Sequence, residues 1–161
     1  MTIRSAGLLL YRGQRALEVL IAHMGGPFWA RKNEGAWSIP KGEFDPAEES
    51  AADAAAREFR EELGVTAPAG PSAFVELGTF AYASGKRVTV FVAQGGDLDL
   101  TVLSFGEFEM GWPPRSERTA SFPEVDRVAW VTPARARELL VKGQRPAIDA
   151  LEAARAAGPE G

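Results

Sequence analysis

An α+β fold, a mixed sheet flanked by helices, is what three features of this 161-residue chain predict. Strand-like apolar runs fill most of its first two-thirds, one strongly helical segment interrupts them, and two further helical segments close the chain. Strands come first: residues 5–11 and 17–23 are apolar runs separated by Arg12-Gly13-Gln14-Arg15, which reads as a hairpin. A loop rich in glycine and aromatics follows, Gly25-Gly26-Pro27-Phe28-Trp29 and then Asn33-Glu34-Gly35. Trp37-Ser38-Ile39-Pro40 is a short strand, and residues 41–46 form a loop leading into the helix.

That helix, residues 51–63, is the clearest element. Ser50 with Asp53 fits the N-cap pattern, strong helix formers fill the interior, and Gly64 stands where a helix C-terminus ends. Strands are then expected at 73–82 and 87–94 around a Ser84-Gly85-Lys86 turn, and at 125–131, opened by Phe122-Pro123. Residues 106–114 read as an irregular acidic and aromatic stretch. Residues 133–141 and 146–157 read as helices, and 158–161 as a frayed tail, so that 1–157 form a single domain.

Composition narrows the chemistry. With 45% hydrophobic and 25% charged residues, the chain has the make-up of a soluble globular protein with a real core. No run of 18 apolar residues exists, and the first ten residues read as a strand rather than a signal peptide, so no membrane span is expected and the cytoplasm is the default compartment. The absence of cysteine removes disulfides, thiolate metal sites and thiol nucleophiles. The only histidine, His23, cannot build an imidazole zinc site, and is expected to be a hydrogen-bonded residue at a strand end. Any metal must be held by oxygen, which favours magnesium, manganese or calcium. A net charge of −4 argues against nucleic acid as a partner, while a small phosphorylated ligand needs only a few local cations.

On the helix, Ala52, Ala55, Ala56, Phe59 and Leu63 form the core-facing stripe, and Glu58, Glu61 and Glu62 share a different face. Like charges at that spacing repel by a few tenths of a kcal/mol per pair, so solvent and Arg57 and Arg60 screen them, or a hard dication sits among them. A Lys41-Gly42 loop upstream offers a cation and an open backbone to phosphate, and Arg57 can pair with Glu61 one turn on.

Gly42, Glu49 and Arg57-Glu58-Phe59-Arg60-Glu61-Glu62-Leu63-Gly64-Val65 resemble the Nudix box: Gly, five residues, Glu, seven residues, Arg-Glu-apolar-any-Glu-Glu-any-Gly-apolar. The second half matches in full, and seven residues separate Glu49 from Arg57. Six separate Gly42 from Glu49, one more than the pattern, and the extra residue is placed in the loop at Asp45-Pro46-Ala47-Glu48. Trp37-Ser38-Ile39-Pro40-Lys41-Gly42 is similar to the lead-in of several Nudix branches, and residues 122–130 to the family's late strand. Lys142-Gly143-Gln144-Arg145-Pro146 resembles the C-terminus of a bacterial branch mostly of unassigned substrate.

The resemblance implies an α/β/α sandwich and a magnesium-dependent hydrolase, manganese being the other candidate ion, that cuts a diphosphate bond in a nucleoside-linked phosphate. It implies metal ligation by Glu58 and Glu62 with the Gly42 carbonyl and Glu61. It also implies a catalytic group of Glu61, Glu58, Arg57 and Glu49, the last orienting Arg57, and Lys41 as a phosphate contact. The general base would be a box glutamate or one downstream, for which Glu107 and Glu109 are the candidates; both also fit a solvent-facing strand end. Arg87 and Arg115 could reach phosphate, and Phe28, Trp29, Trp37 and Trp112 are either core or base-stacking. Dinucleoside polyphosphates are the first substrate class the resemblance suggests, followed by nucleoside triphosphates and nucleotide sugars. A homodimer is in keeping with the family. The alternative reading is a catalytically silent Nudix-fold module that binds or senses a nucleotide.

Overall fold

The computed structural model describes residues 4–13 and 15–157. Among the described residues nine strands and three α-helices follow in the order β1 (Arg4–Arg12), β2 (Glu18–Met24), β3 (Trp37–Ser38), β4 (Lys41–Glu43), α1 (Ala51–Leu63), β5 (Val75–Ala81), β6 (Arg87–Gln94), β7 (Glu107–Gly111), β8 (Thr119–Pro123), β9 (Val125–Val131), α2 (Pro133–Leu139) and α3 (Arg145–Ala157). Seven strands form one mixed sheet with the path β3-β2-β1-β6-β5, β4 pairing with β1 and β9 with β2. Its centre is the parallel pair β1 and β6, in register from Arg4 opposite Arg87 to Tyr11 opposite Gln94. Gln14, in the expected hairpin turn, and the expected tail at 158–161 lie outside the described residues.

Helices cover both faces, which makes the architecture an α/β/α sandwich. Central strands covered on both sides read as continuous apolar runs, as Leu8-Leu9-Leu10 does. Leu8 and Leu10 point to one face with Leu20, Ala22 and Phe91, where α1 packs through Ala54, Ala55, Phe59 and Leu63. Leu9 points to the other with Val19, Ile21, Val88, Val90 and Val92, where α2 and α3 supply Ala136, Leu139, Ala147, Ile148 and Leu151. Helix α1 starts where Ser50 Oγ accepts the Asp53 N–H at 3.1 Å, and stops at Gly64, whose φ of 77° is the left-handed cap conformation. Ser104 backbone lies against that glycine, so no side chain would fit there.

Two segments differ from the sequence expectation. Lys41-Gly42-Glu43 is not a loop but strand β4, because Ser5, Ala6 and Gly7 of β1 provide it with an antiparallel partner. Residues 107–111 are likewise not irregular: they pair with Thr119–Pro123 as a separate two-stranded sheet. Lys41-Gly42-Glu43 has no apolar alternation and residues 107–111 alternate over only four positions, so each strand exists because of its partner. No helix among the described residues is long and apolar enough to cross a membrane.

Candidate active site

The site forms where the C-terminal half of α1 faces β4 and the segment joining β8 to β9. Strand β4 brings Gly42 against the helix so closely that a Cβ there would lie 1.9 Å from the Glu58 carboxyl carbon. Only glycine leaves the backbone open at that point. The six-residue spacing does not disturb this contact: the extra residue is absorbed in a turn in which Glu48 and Glu49 N–H groups both reach the Asp45 carbonyl, at 2.9 and 3.2 Å.

Arg57 organises the acids. Its Nη2 donates to Glu49 at 2.6 Å, and its Nη1 donates to Glu58 at 2.8 Å and to Glu61 at 3.2 Å. Its hydrogen bond to Arg57 holds the Glu49 carboxyl below the usual carboxylate range. The pairing with Glu49 above all holds the Arg57 proton in place. Glu62 is not in that network. Burial, with the charges of Glu124 and Glu58 beside it, pushes its carboxyl up to about 8, while Lys41 pulls the other way. Glu58 is raised mainly by burial, with Arg57 opposing, and Glu124 is raised by burial and by Glu61.

Glu124 is the functional candidate that sequence reasoning missed. It sits in Phe122-Pro123-Glu124-Val125, between the end of β8 and the start of β9, where only the fold brings it to α1. Its backbone is pinned there: Glu124 N donates to the Gly106 carbonyl at 2.7 Å, and Gly106 N to the Glu62 carbonyl at 3.3 Å. Glu109 does not join the acids. Strand alternation puts Glu107 and Glu109 on the face of β7 opposite Phe108, exposed to solvent, and Glu107 accepts the Ser121 hydroxyl at 2.9 Å.

A cavity of about 260 Å³ opens beside this cluster, lined by Lys41, Glu62, Glu124, Ser38, Trp29 and Phe108 among others. Lys41 and two carboxylates therefore share one wall, and two aromatics stand in the same cavity. Trp37, by contrast, is 5% exposed and belongs to the core. Phe28 and Trp112 pack edge to face, with ring centres 5.6 Å apart, outside the cavity lining. His23 is buried between the Asp126 carboxylate (2.8 Å) and the Lys32 carbonyl (2.6 Å), which ties the loop carrying Trp29 to β9. Arg87 lies apart from the acids, with Arg4, Thr79 and Thr89 around a second cavity.

The donor set suits a hard divalent cation. It is all oxygen, Glu58 and Glu62 are held above the ordinary carboxylate range by burial and by neighbouring acids, and glycine leaves the Gly42 backbone open beside Glu58. Among the described residues no three acidic or imidazole side chains already converge as a metal cage. Magnesium does not require one, since one or two carboxylates with water and substrate phosphate complete its shell.

Comparison with known proteins agrees with the motif. The family model described as the NUDIX domain matches residues 1–151. Among solved structures, a Caenorhabditis elegans Ap4A hydrolase in a binary complex superposes with a TM-score of 0.64 at 22% identity, covering 97% of this chain and 99% of that one. The Escherichia coli ORF135 protein gives 0.63 at 22% identity, covering 99% and 95%. The NUDIX domain of Shewanella oneidensis NrtR, complexed with ADP ribose, gives 0.63 at 16% identity, covering 96% and 88%. A search of curated proteins gives no significant match. At these identities the structures speak for the fold, and the family model for membership. Nudix hydrolases as a class use divalent metals. With the NUDIX domain spanning nearly its whole length and every acid of the box present, the chain belongs to the Nudix family of pyrophosphohydrolases.

Proposed function

We propose that the protein is a magnesium-dependent diphosphatase acting on a nucleoside-linked polyphosphate, with dinucleoside polyphosphates and nucleoside triphosphates as the leading substrate classes. The observation that carries this reading is the crowding of Glu62 and Glu124 beside Lys41 at one cavity, with the charge of Glu58 acting on Glu62. Carboxylates so placed repel, and a dication with a bound diphosphate relieves that repulsion. Glu58, Glu62, the Gly42 carbonyl and Glu61 would hold the ion. When bound, it neutralises phosphate charge and acidifies a water ligand.

The chain's own residues do the rest. Lys41 contacts a phosphate oxygen as a compact point charge. Arg57, tied to Glu49, fixes the rotamers of Glu58 and Glu61 so that they need not reorganise when substrate arrives. Glu124 is the downstream carboxylate best placed to collect the proton of the attacking water, a role for which Glu109 faces the wrong side of its hairpin. Trp29 and Phe108 offer the nucleoside an apolar wall. The likeness to an Ap4A hydrolase favours trying dinucleoside polyphosphates first.

The test is release of nucleotide or phosphate from diadenosine polyphosphates, nucleoside triphosphates, nucleotide sugars and ADP-ribose, with magnesium and with chelator. Magnesium-dependent cleavage of one class, lost in Glu62→Gln, is the expected result. Binding of a compound without turnover would replace this reading with that of a nucleotide sensor.

A further inference from the structure

We infer that Gln144 is a positioning residue for the phosphate-binding wall of the cavity, holding the segment from Ser38 to Lys41 in place from behind. The inference rests on the reading that this cavity takes the substrate's phosphates. Gln144 ends a single helical turn, Lys142–Gln144, between α2 and α3, and is 1% exposed. A buried amide must find partners for its oxygen and both of its N–H groups. Here all three are used. Ile39 N donates to its Oε1 at 2.7 Å, and its Nε2 donates to Ser38 Oγ at 2.9 Å and to Tyr82 Oη at 2.8 Å.

Those partners lie where the sheet leaves a gap. Strand β3 ends at Ser38 and β4 begins at Lys41, so Ile39 and Pro40 belong to neither ladder. Pro40 has no N–H to donate, and Ile39 is fully buried, so without Gln144 its N–H would be stranded away from water. The Pro40 carbonyl is held on the other side by Leu8 N at 3.1 Å. The segment is thus pinned between β1 and the glutamine. Ser38 and Lys41, its two ends, both line the cavity.

The support behind Gln144 is itself tightly fitted. A Cβ on Gly143 would lie 2.2 Å from the Tyr82 ring, so the glycine lets the turn rest directly on that ring. Val141 N donates to the Trp37 carbonyl at 2.8 Å, which fastens the same turn to β3. Through these contacts the Lys142-Gly143-Gln144 run bears on the active site without touching a carboxylate of α1. Losing it should therefore weaken substrate binding and leave the chemical step alone.

The experiment measures kcat and KM on a cleaved diphosphate substrate, affinity for ADP with magnesium, and amide hydrogen exchange of Ile39, in wild type and Gln144→Met. The expected result is a KM and an ADP dissociation constant raised about tenfold, equivalent to about 1.4 kcal/mol, with kcat within about twofold. Ile39 exchange should be faster by at least about tenfold. An unmoved KM in a folded variant, a fall in kcat alone, or Ile39 exchange as slow as in wild type would overturn the positioning role. If Gln144→Met does not fold, Tyr82→Phe carries the test: removing one partner of the amide should raise KM about threefold at constant kcat, and an unmoved KM overturns the inference. Wild type that neither cleaves nor binds these compounds would instead overturn the diphosphatase reading and the role assigned with it.

Discussion

Replacing Glu62 by Gln should stabilise the metal-free protein above neutral pH. The Glu62 carboxyl is held at about 8 in the fold, against an ordinary value of 4.5 in the unfolded chain. Between those two values the folded state keeps a proton that the unfolded state has released, so stability falls as pH rises through the window and levels off above it. The difference of about 3.5 pH units corresponds to an upper bound of about 5 kcal/mol at 1.36 kcal/mol per unit. Relaxation and water entry reduce it, and about 2 kcal/mol is a reasonable working figure. For a chain of this length that is a Tm difference of about 4–8 °C. Glu58 and Glu124, also raised, add to the same slope, whereas Glu49, which is lowered, acts only below its ordinary value of 4.5 and leaves this window untouched.

The assay is a series of thermal melts in chelator from pH 5 to pH 9. Wild type should lose Tm from pH 5 to about pH 8 and level off beyond it, and Glu62→Gln should lose much less, the two curves separating progressively through that window. Adding magnesium should restore the wild type most at the alkaline end, by about 2.7 kcal/mol at a hundredfold excess over Kd, and the variant little. Parallel melting curves for the two proteins over the whole range would refute the reasoning, because they would mean that Glu62 is not held uncharged by its surroundings.

Three further outcomes follow from the geometry. Glu124→Gln should lower kcat by about 10²-fold or more while Glu109→Gln leaves it within about twofold, as steady-state kinetics on one substrate will show; the reverse ranking would return the downstream role to Glu109. Gly42→Ala places a methyl group where the Glu58 carboxyl now lies, and should cost about 1–3 kcal/mol of stability with a loss of magnesium-dependent turnover, measured by melting and kinetics together. Arg57→Lys replaces a planar fork that serves Glu49, Glu58 and Glu61 with a single ammonium, and should lower kcat about 10–100-fold, with a Tm change of only a degree or two because the site is partly exposed.

Much of this was readable in one dimension because the deciding interactions are local. Helix α1 declares itself through its cap, its period and its terminal glycine, and the box acids occupy positions along that one element. The pairing of Arg57 with Glu49 and with Glu61 spans only a few residues of chain. The extra residue before Glu49 is harmless for the same reason, being closed into a local turn. Strands β1, β2, β6 and β9 are visible as apolar runs because burial selects their side chains.

What the chain could not reveal alone depends on partners distant in sequence. Strand β4 carries no pattern of its own, β7 and β8 alternate over only four residues each, and all three form because another strand lies alongside. Glu124 and Glu109 are both acids downstream of the helix, and only the connection from β8 to β9 and the alternation of β7 decide which one meets Glu62. Trp29 and Trp37 look alike as aromatics, and the tertiary fold puts the first in the cavity and the second in the core. Gln144 is an ordinary polar residue in the sequence, yet 105 positions of chain close to set its amide on the Ile39 N–H. The acidic helix and the grouping of its carboxylates on one face were legible in the residues alone, since those follow from spacing along one element. Burial, the raised Glu62 carboxyl and the choice of supporting residues were decided only by the tertiary structure, because desolvation and hydrogen-bond satisfaction depend on what packs against a group from elsewhere in the chain.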